Sequence, residues 1–390
     1  MQSRFQTMRA TGTYVTTTTL SEEVRAFVPH PLPPADPMLA ADSYAAAARR
    51  AELALAKLSG VAGLVPSVDW LLYSAIRKEA LLTSQIEGTQ ATLTDLFDDE
   101  AGVAVANTDD VEEVTNYLRA FRLVRDNLRS PNGLPISVRL LCDTHRLLLA
   151  GARGAGQQPG ELRRSQNWIG GSRPGRAVFV PPPPERVPAL LGDLERFIHE
   201  AESDLPPLVR IALVHVQFET IHPFLDGNGR IGRLLIAALL EQSGLLTEPL
   251  MYLSGYLKQN QGEYYRRLSA VRTEGDWEGW VSFFLEGVEA AAAEAERGIV
   301  AIASLLVADR RRLLAAPRVG AVGLRLFEML PLMPRFTIEQ VRQKLATTFP
   351  TATAAVKLLE ELGVVTELTG QKKNRCFSYA AYVELLAGEP

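Results

Sequence analysis

His222-Pro223-Phe224-Leu225-Asp226-Gly227-Asn228-Gly229-Arg230-Ile231-Gly232-Arg233 joins two segments whose apolar residues recur at helical spacing, Leu208 to Thr220 before it and about Asn228 to Gln242 after it. Asp-Gly and Asn-Gly pairs ordinarily signal a hairpin turn. No alternating strand flanks them here, so the stretch reads as a glycine-rich loop feeding a helix N-terminus. Gly227 and Gly229 permit backbone angles that turn successive N–H groups inward. With the helix start, those N–H groups form a nest for an anion. Arg230 and Arg233 lie three apart in the first turn, so both can face that anion, and one can grip a phosphate through two nitrogens. Asp226 is an acid beside a cationic site. It makes chemical sense where Mg²⁺ bridges one carboxylate to phosphate oxygens. His222, just ahead of the nest, is the obvious general base, because an unperturbed imidazole titrates near neutrality.

Helical patterns continue on either side. They cover Ala45 to Leu58, Val68 to Ile86, Val111 to Leu128, Ile136 to Leu149 and Val187 to Ala201, then about Leu257 to Arg272 with Gly262 as a weak point, and a long segment from Trp277. Residues 1 to about 40 read as extended or irregular, because Pro29, Pro31, Pro33 and Pro34 each disfavour helix in the residue before. Asp99 to Asp110 reads as an acidic loop. Gln166 to Ile169 and Ala177 to Val180 flank Gly170-Gly171-Ser172-Arg173-Pro174-Gly175 as a hairpin. Beyond about residue 316 come three short helices, the second with Thr337 as its N-cap, and then strands at Val364 to Leu368 and Arg375 to Tyr379. Helices followed by a hairpin are the layout of a winged helix.

With 47% apolar and 22% charged residues and a formal charge of -4, the chain has the make-up of a globular protein without a dominant basic footprint. Two distant cysteines, Cys142 and Cys376, exclude a disulfide framework and a cysteine-based zinc site. The Thr-rich start has no apolar core of a secretory signal, and Leu234 to Leu240 is too short to span a bilayer, so a soluble cytoplasmic protein with no membrane partner is expected.

The string from His222 to Arg233 resembles the signature of the Fic family, His-x-Phe-x-Asp/Glu-Gly-Asn-Gly-Arg-x-x-Arg, at every fixed position. The resemblance implies a mainly α fold in three parts. Residues 1–110 would be an N-terminal helical region with an inhibitory helix. Residues 111–315 would be a Fic catalytic core with a small β-hairpin flap, and 316–390 a C-terminal winged helix. It implies a protein adenylyltransferase that moves AMP from ATP to a Tyr, Thr or Ser hydroxyl of a target protein or of itself. His222 would deprotonate the hydroxyl, and Asp226 would hold Mg²⁺. Gly227, Asn228 and Gly229 would hold the α- and β-phosphates, Arg230 and Arg233 the β- and γ-phosphates, and Phe224 would anchor the loop.

Thr83-Ser84-Gln85-Ile86-Glu87-Gly88 resembles the Fic inhibitory motif, Ser/Thr-x-x-x-Glu-Gly/Asn. The resemblance implies that Glu87 pairs with Arg233 and keeps ATP from a productive pose. The hairpin around Gly170 to Gly175 resembles the Fic flap, whose edge would pair with an extended target segment. Tyr252, Tyr256, Tyr264 and Tyr265 read as core residues at helical spacing, with an adenine-lining role as the alternative. His215 reads as a satisfied core histidine. Lys357, Lys372, Lys373 and Arg375 in the winged helix invite DNA, while Glu360, Glu361 and Glu367 dilute that charge, and a protein or homodimer contact is the other reading. The alternatives for the whole chain are a de-AMPylase or another Fic phosphotransfer enzyme, and a nucleotide-sensing DNA-binding regulator.

Overall fold

The computed structural model describes residues 9–35, 37–151, 155–200, 203–317 and 319–388. The extended reading of residues 1–8 and the end of the helix expected to reach Ala201 lie outside them. The chain opens with strands β1 (Gly12–Thr19) and β2 (Glu22–Pro29), followed by helices α1 (Ala41–Val61), α2 (Val68–Ile86), α3 (Leu93–Glu100), α4 (Thr108–Arg129) and α5 (Val138–Leu148). Next come α6 (Val187–His199), α7 (Pro207–Ile221), α8 (Asn228–Gln242), α9 (Leu253–Gln259), α10 (Gln261–Glu274) and the long α11 (Trp277–Ala315). The C-terminal stretch contributes α12 (Ala321–Met329), β3 (Arg335–Thr337), α13 (Ile338–Lys344), α14 (Phe349–Glu361), β4 (Thr366–Glu367), β5 (Cys376–Ser378) and α15 (Ala380–Ala387). The fold is mainly helical with small antiparallel sheets, as the sequence pattern predicts.

These elements pack as two compact units. The first holds residues 1–56, 116–247 and 253–291. Its centre is α7, buried along nearly its whole length, against α6 and α8. A helix apolar on all sides belongs in a core. Trp280 of α11 is fully buried there and donates its indole N–H to the Ala212 carbonyl at 2.8 Å. The second unit holds 57–115, 248–252 and 292–390. In it α2 packs on the turn at Leu330–Leu332, and α3 meets both β3 and α15. Arg335 of β3 pairs with Asp98 of α3, and the Gln340 amide donates to the Glu100 carbonyl at 2.9 Å. The three-stranded sheet runs in the order β3-β5-β4.

Several local readings need correction. The N-terminal stretch, expected to be extended or irregular, is extended and paired as the β1–β2 hairpin. Its two-residue turn is Leu20-Ser21, both with positive φ (50° and 65°), where a sequence signal would be Asn-Gly. In the acidic stretch Asp99 to Asp110, residues 101–107 are loop as expected; Asp99 and Glu100 close α3, which starts at the reciprocal cap of Thr92 and Asp95, and Thr108 begins α4. The helix expected from Leu257 breaks at Asn260 and not at Gly262. The Asn260 backbone N–H and side-chain amide both donate to the Tyr256 carbonyl at 3.0 Å and close α9. Between Gln166 and Val180 there is one bridge, Ile169 to Phe179, and no pair of strands. Pro174 and the run Pro181 to Pro184 supply no N–H to a ladder, and Gly170 and Gly171 at φ 67° and 75° turn the chain away.

Candidate active site

Helix α7 ends at Ile221, and His222 is its C-cap in the left-handed region at φ 50°, with its N–H bonded to the Phe218 carbonyl at 2.9 Å. A non-glycine residue there turns the chain sharply out of the helix. Phe224 then returns to the core with 1% exposure. Gly227, at φ 75°, is the N-cap of α8. Leu148, Leu149 and His145 lie 3.3 to 3.6 Å from where its Cβ would sit, close to ordinary contact, so it is the left-handed backbone that favours glycine here. Gly232 has a different reason. A Cβ there would lie 2.3 Å from Glu219 Oε1, so the missing side chain lets α8 approach α7.

The loop therefore delivers the N-terminus of α8, whose first N–H groups have no partner inside the helix. Arg230 and Arg233 follow one turn on, 5% and 3% exposed. Buried guanidinium groups beside a helix N-terminus give a cationic floor for a phosphate chain. The Asp226 carboxylate is about half exposed and lies 3.7 Å from Arg230. Its Oδ1 also accepts the Gly227 N–H at 2.7 Å, which fixes its direction at the head of the nest.

Asn228 behaves differently from the implied role. Its side chain turns inward, accepting the Phe224 N–H and donating to the Phe224 carbonyl, both at 2.9 Å. It staples the loop, and what it offers a ligand is its backbone N–H.

Two residues that motif reading passed over hold this loop. His145 on α5 stacks on Phe224, with ring centroids 3.9 Å apart and planes 8° from parallel. Its Nδ1 accepts the Gly160 N–H at 2.8 Å, so Nε2 carries the proton and donates to the Asp226 carbonyl at 3.0 Å. Burial pushes its pKa down to about 4, and the ring is neutral. Arg163, 2% exposed, donates to a ring of backbone carbonyls that includes those of Ile221 and His222. A lone histidine and an arginine in a loop carry no sequence signal of such partners; only the fold brings them to the motif.

His215 is a satisfied core histidine, as read from the sequence. It is 1% exposed, accepts the Tyr264 hydroxyl at 2.8 Å and donates to the Gly232 carbonyl at 3.1 Å. Tyr264 is thereby a core residue, and Tyr252 packs under Lys78 in the other unit. Phe179 is 8% exposed, 6.4 Å from Phe27 and 3.9 Å below the Arg272 guanidinium. Strand β2 covers that side, since Phe27 donates its N–H to the Val180 carbonyl at 2.9 Å, and Glu22 accepts the Gly175 N–H at 3.0 Å. Glu87 is the C-cap of α2, and Gly88 after it has φ 101°, which explains the glycine that follows the glutamate.

Residues 45–126 match the model of the Fic/DOC family N-terminal region, and residues 135–240 match that of the Fic/DOC family. The chain carries both Fic family regions. The motif from His222 to Arg233 falls inside the second Fic match, and Thr83 to Gly88 inside the first. Among curated Fic proteins, the protein adenylyltransferase Fic of Drosophila yakuba is 30% identical over 208 residues, covering 52% of this chain and 38% of that protein. That of Drosophila melanogaster is 29% identical over 208 residues, 52% of this chain and 39% of the relative. The chain thus matches well under half the length of these relatives. Among solved structures, a Fic family protein from Desulfovibrio desulfuricans G20 has TM-score 0.53 at 21% identity, covering 85% of this chain and 95% of that one. A Fic domain containing signaling protein from Bacteroides thetaiotaomicron VPI-5482 has TM-score 0.55 at 20% identity, covering 65% and 97%. At those identities the likeness is one of fold. Among the described residues, no helix is long and apolar enough to cross a membrane.

Proposed function

We propose that this chain is an ATP-dependent protein adenylyltransferase restrained by its own Glu87. The observation that carries the reading is the geometry of one loop. It places His222 on a left-handed helix C-cap, Asp226 half exposed, and a helix N-terminus backed by two buried arginines in one short stretch.

In this reading the triphosphate lies along the start of α8. The N–H groups of Asn228 and Gly229 meet the α- and β-phosphates, and Arg230 and Arg233 neutralise the β- and γ-phosphates. A target hydroxyl gives its proton to His222 as its oxygen attacks the α-phosphorus. The bond from that phosphorus to the bridging oxygen breaks, and pyrophosphate leaves. The donor set suits Mg²⁺, which takes one carboxylate plus phosphate oxygens, so Asp226 would hold it, and the ion would supply charge neutralisation on the leaving phosphates. Glu87, by resemblance, competes for Arg233 and keeps the γ-phosphate from it. The target segment, carrying a Tyr, Thr or Ser hydroxyl on another protein or on the chain itself, would add to the edge of the flap. We propose that 316–390 is a winged helix that recruits a partner, with Lys372 and Lys373 exposed at the β4–β5 turn as the contacts for duplex DNA. A filter-binding titration without salt-dependent affinity removes DNA from this account.

The test uses α-labelled ATP with the parent chain, Glu87→Gly and Glu87→Gly/His222→Ala. Strong label on protein in Glu87→Gly, faint in the parent and absent in Glu87→Gly/His222→Ala, supports transfer. Release of free AMP without labelled protein supports hydrolysis or AMP removal instead.

A further inference from the structure

The motif loop is held by two separate sets of buried groups. At its far end, His145 donates to the Asp226 carbonyl, Asn228 brackets Phe224, and the Asn167 amide lies 3.3 Å from the carbonyls of Phe224 and Leu225. These hold the phosphate nest. At the near end the ties converge on one side chain that lies outside the motif. Arg163 Nε donates to the His222 carbonyl at 2.8 Å. Its Nη2 donates to Pro182 at 2.5 Å and Ile221 at 3.3 Å, and Nη1 to Ser165 at 3.4 Å. Its own backbone N–H reaches the Pro223 carbonyl at 2.9 Å. The last carbonyls of α7 carry the negative end of the helix dipole, which a buried cation complements. Burial lowers the Arg163 pKa only to about 10, so the group is charged at neutral pH.

We propose that Arg163 is the positioning residue for His222. It ties the carbonyls of Ile221, His222 and Pro223 to the segment at Pro182 that follows the flap, and so fixes the strained C-cap from which the imidazole meets the hydroxyl. The proposal rests on the adenylyltransferase reading. Because the nest has its own supports, loss of Arg163 acts on the chemical step and spares nucleotide binding. Lysine keeps the charge but cannot span these carbonyls with a planar fork.

The experiment compares Arg163→Gln and Arg163→Lys in the Glu87→Gly background, with His145→Asn as the contrasting variant. It measures kcat, KM for ATP, direct affinity for ADP by titration, and the thermal midpoint. A general base displaced by about 1 Å loses about a hundredfold in rate, so Arg163→Gln is expected to lose about that in kcat. Its ADP affinity stays within about threefold of the parent, and Arg163→Lys recovers part of the rate. His145→Asn does the reverse and weakens ADP binding first. If Arg163→Gln does not fold, Arg163→Lys decides alone, by a loss in kcat at unchanged ADP affinity. A parallel fall of affinity and kcat, or a kcat within about threefold of the parent, overturns the proposal. A Glu87→Gly parent that transfers no AMP overturns the functional reading beneath it, whatever Arg163 does.

Discussion

Replacing Asn228 with alanine separates a loop brace from a phosphate ligand. The side chain is 2% exposed, and its two hydrogen bonds go to the backbone of Phe224. After Asn228→Ala, the Phe224 carbonyl keeps the Asn167 amide at 3.3 Å, while the Phe224 N–H loses the acceptor it has in Asn228. A buried donor left without its acceptor costs about 1–3 kcal/mol. For a body of this size each kcal/mol moves the midpoint by roughly 2–4 °C. The thermal midpoint without nucleotide should therefore fall by at least a few degrees, and ATP affinity should fall with it as the nest loosens. Asn228→Asp supplies a second arm. Its carboxylate still accepts the Phe224 N–H, but its second oxygen replaces the amide donor and faces the Phe224 carbonyl, so the nucleotide-free midpoint falls here too. The added negative charge at the nest also weakens ATP binding. Differential scanning fluorimetry without nucleotide and a titration with ATP suffice. An Asn228→Ala protein as stable as the parent, yet weak in ATP binding, would refute the brace and return the side chain to the phosphates.

Phe179→Ser should lower the thermal midpoint, since the ring is buried between Phe27 and Arg272; a midpoint unchanged, with only target modification lost, would make it a docking residue instead. Arg335→Glu should destabilise the second unit by about 1.5–3 kcal/mol through the lost charged hydrogen bond to Asp98, and Asp98→Arg in the same chain should recover part of it in urea unfolding. Because α2 packs within that unit, AMP transfer should rise as the packing loosens. His215 is held near pKa 3 by burial, chiefly, and by the Arg233 charge, below the unfolded value of about 6.5. The unfolded chain takes up this proton first as pH falls, so stability is lost below about 6.5. The loss from this group is about 2 kcal/mol between pH 6.5 and 5, and it should be absent in His215→Gln when urea midpoints are compared at the two pH values.

The helices around the motif were legible because their apolar residues repeat at helical spacing and their ends carry caps. Val68 to Ile86 and Asn228 to Gln242 match α2 and α8 residue for residue, and Thr337 is the N-cap of α13 as read. The hairpin β1–β2 was not legible, because a run of threonines has no alternation and its turn is built from leucine and serine. The flap was over-read, since prolines that look like strand ends also withhold the N–H groups a ladder needs. At the site, the motif names the residues proposed to meet ATP, but not those proposed to aim them. His145 and Arg163 act through backbone carbonyls far away in sequence, and carbonyls leave no trace in side-chain pattern. Asn228 was assigned to the ligand by resemblance, and its inward bonds become visible only once Phe224 is placed.

The most direct measurement is transfer of label from α-labelled ATP to protein, first on the purified chain and then with lysate. The account predicts faint labelling by the parent, strong labelling by Glu87→Gly, and none by Glu87→Gly/His222→Ala. Labelled protein that persists without His222, or no labelled protein from Glu87→Gly in either setting, would contradict it.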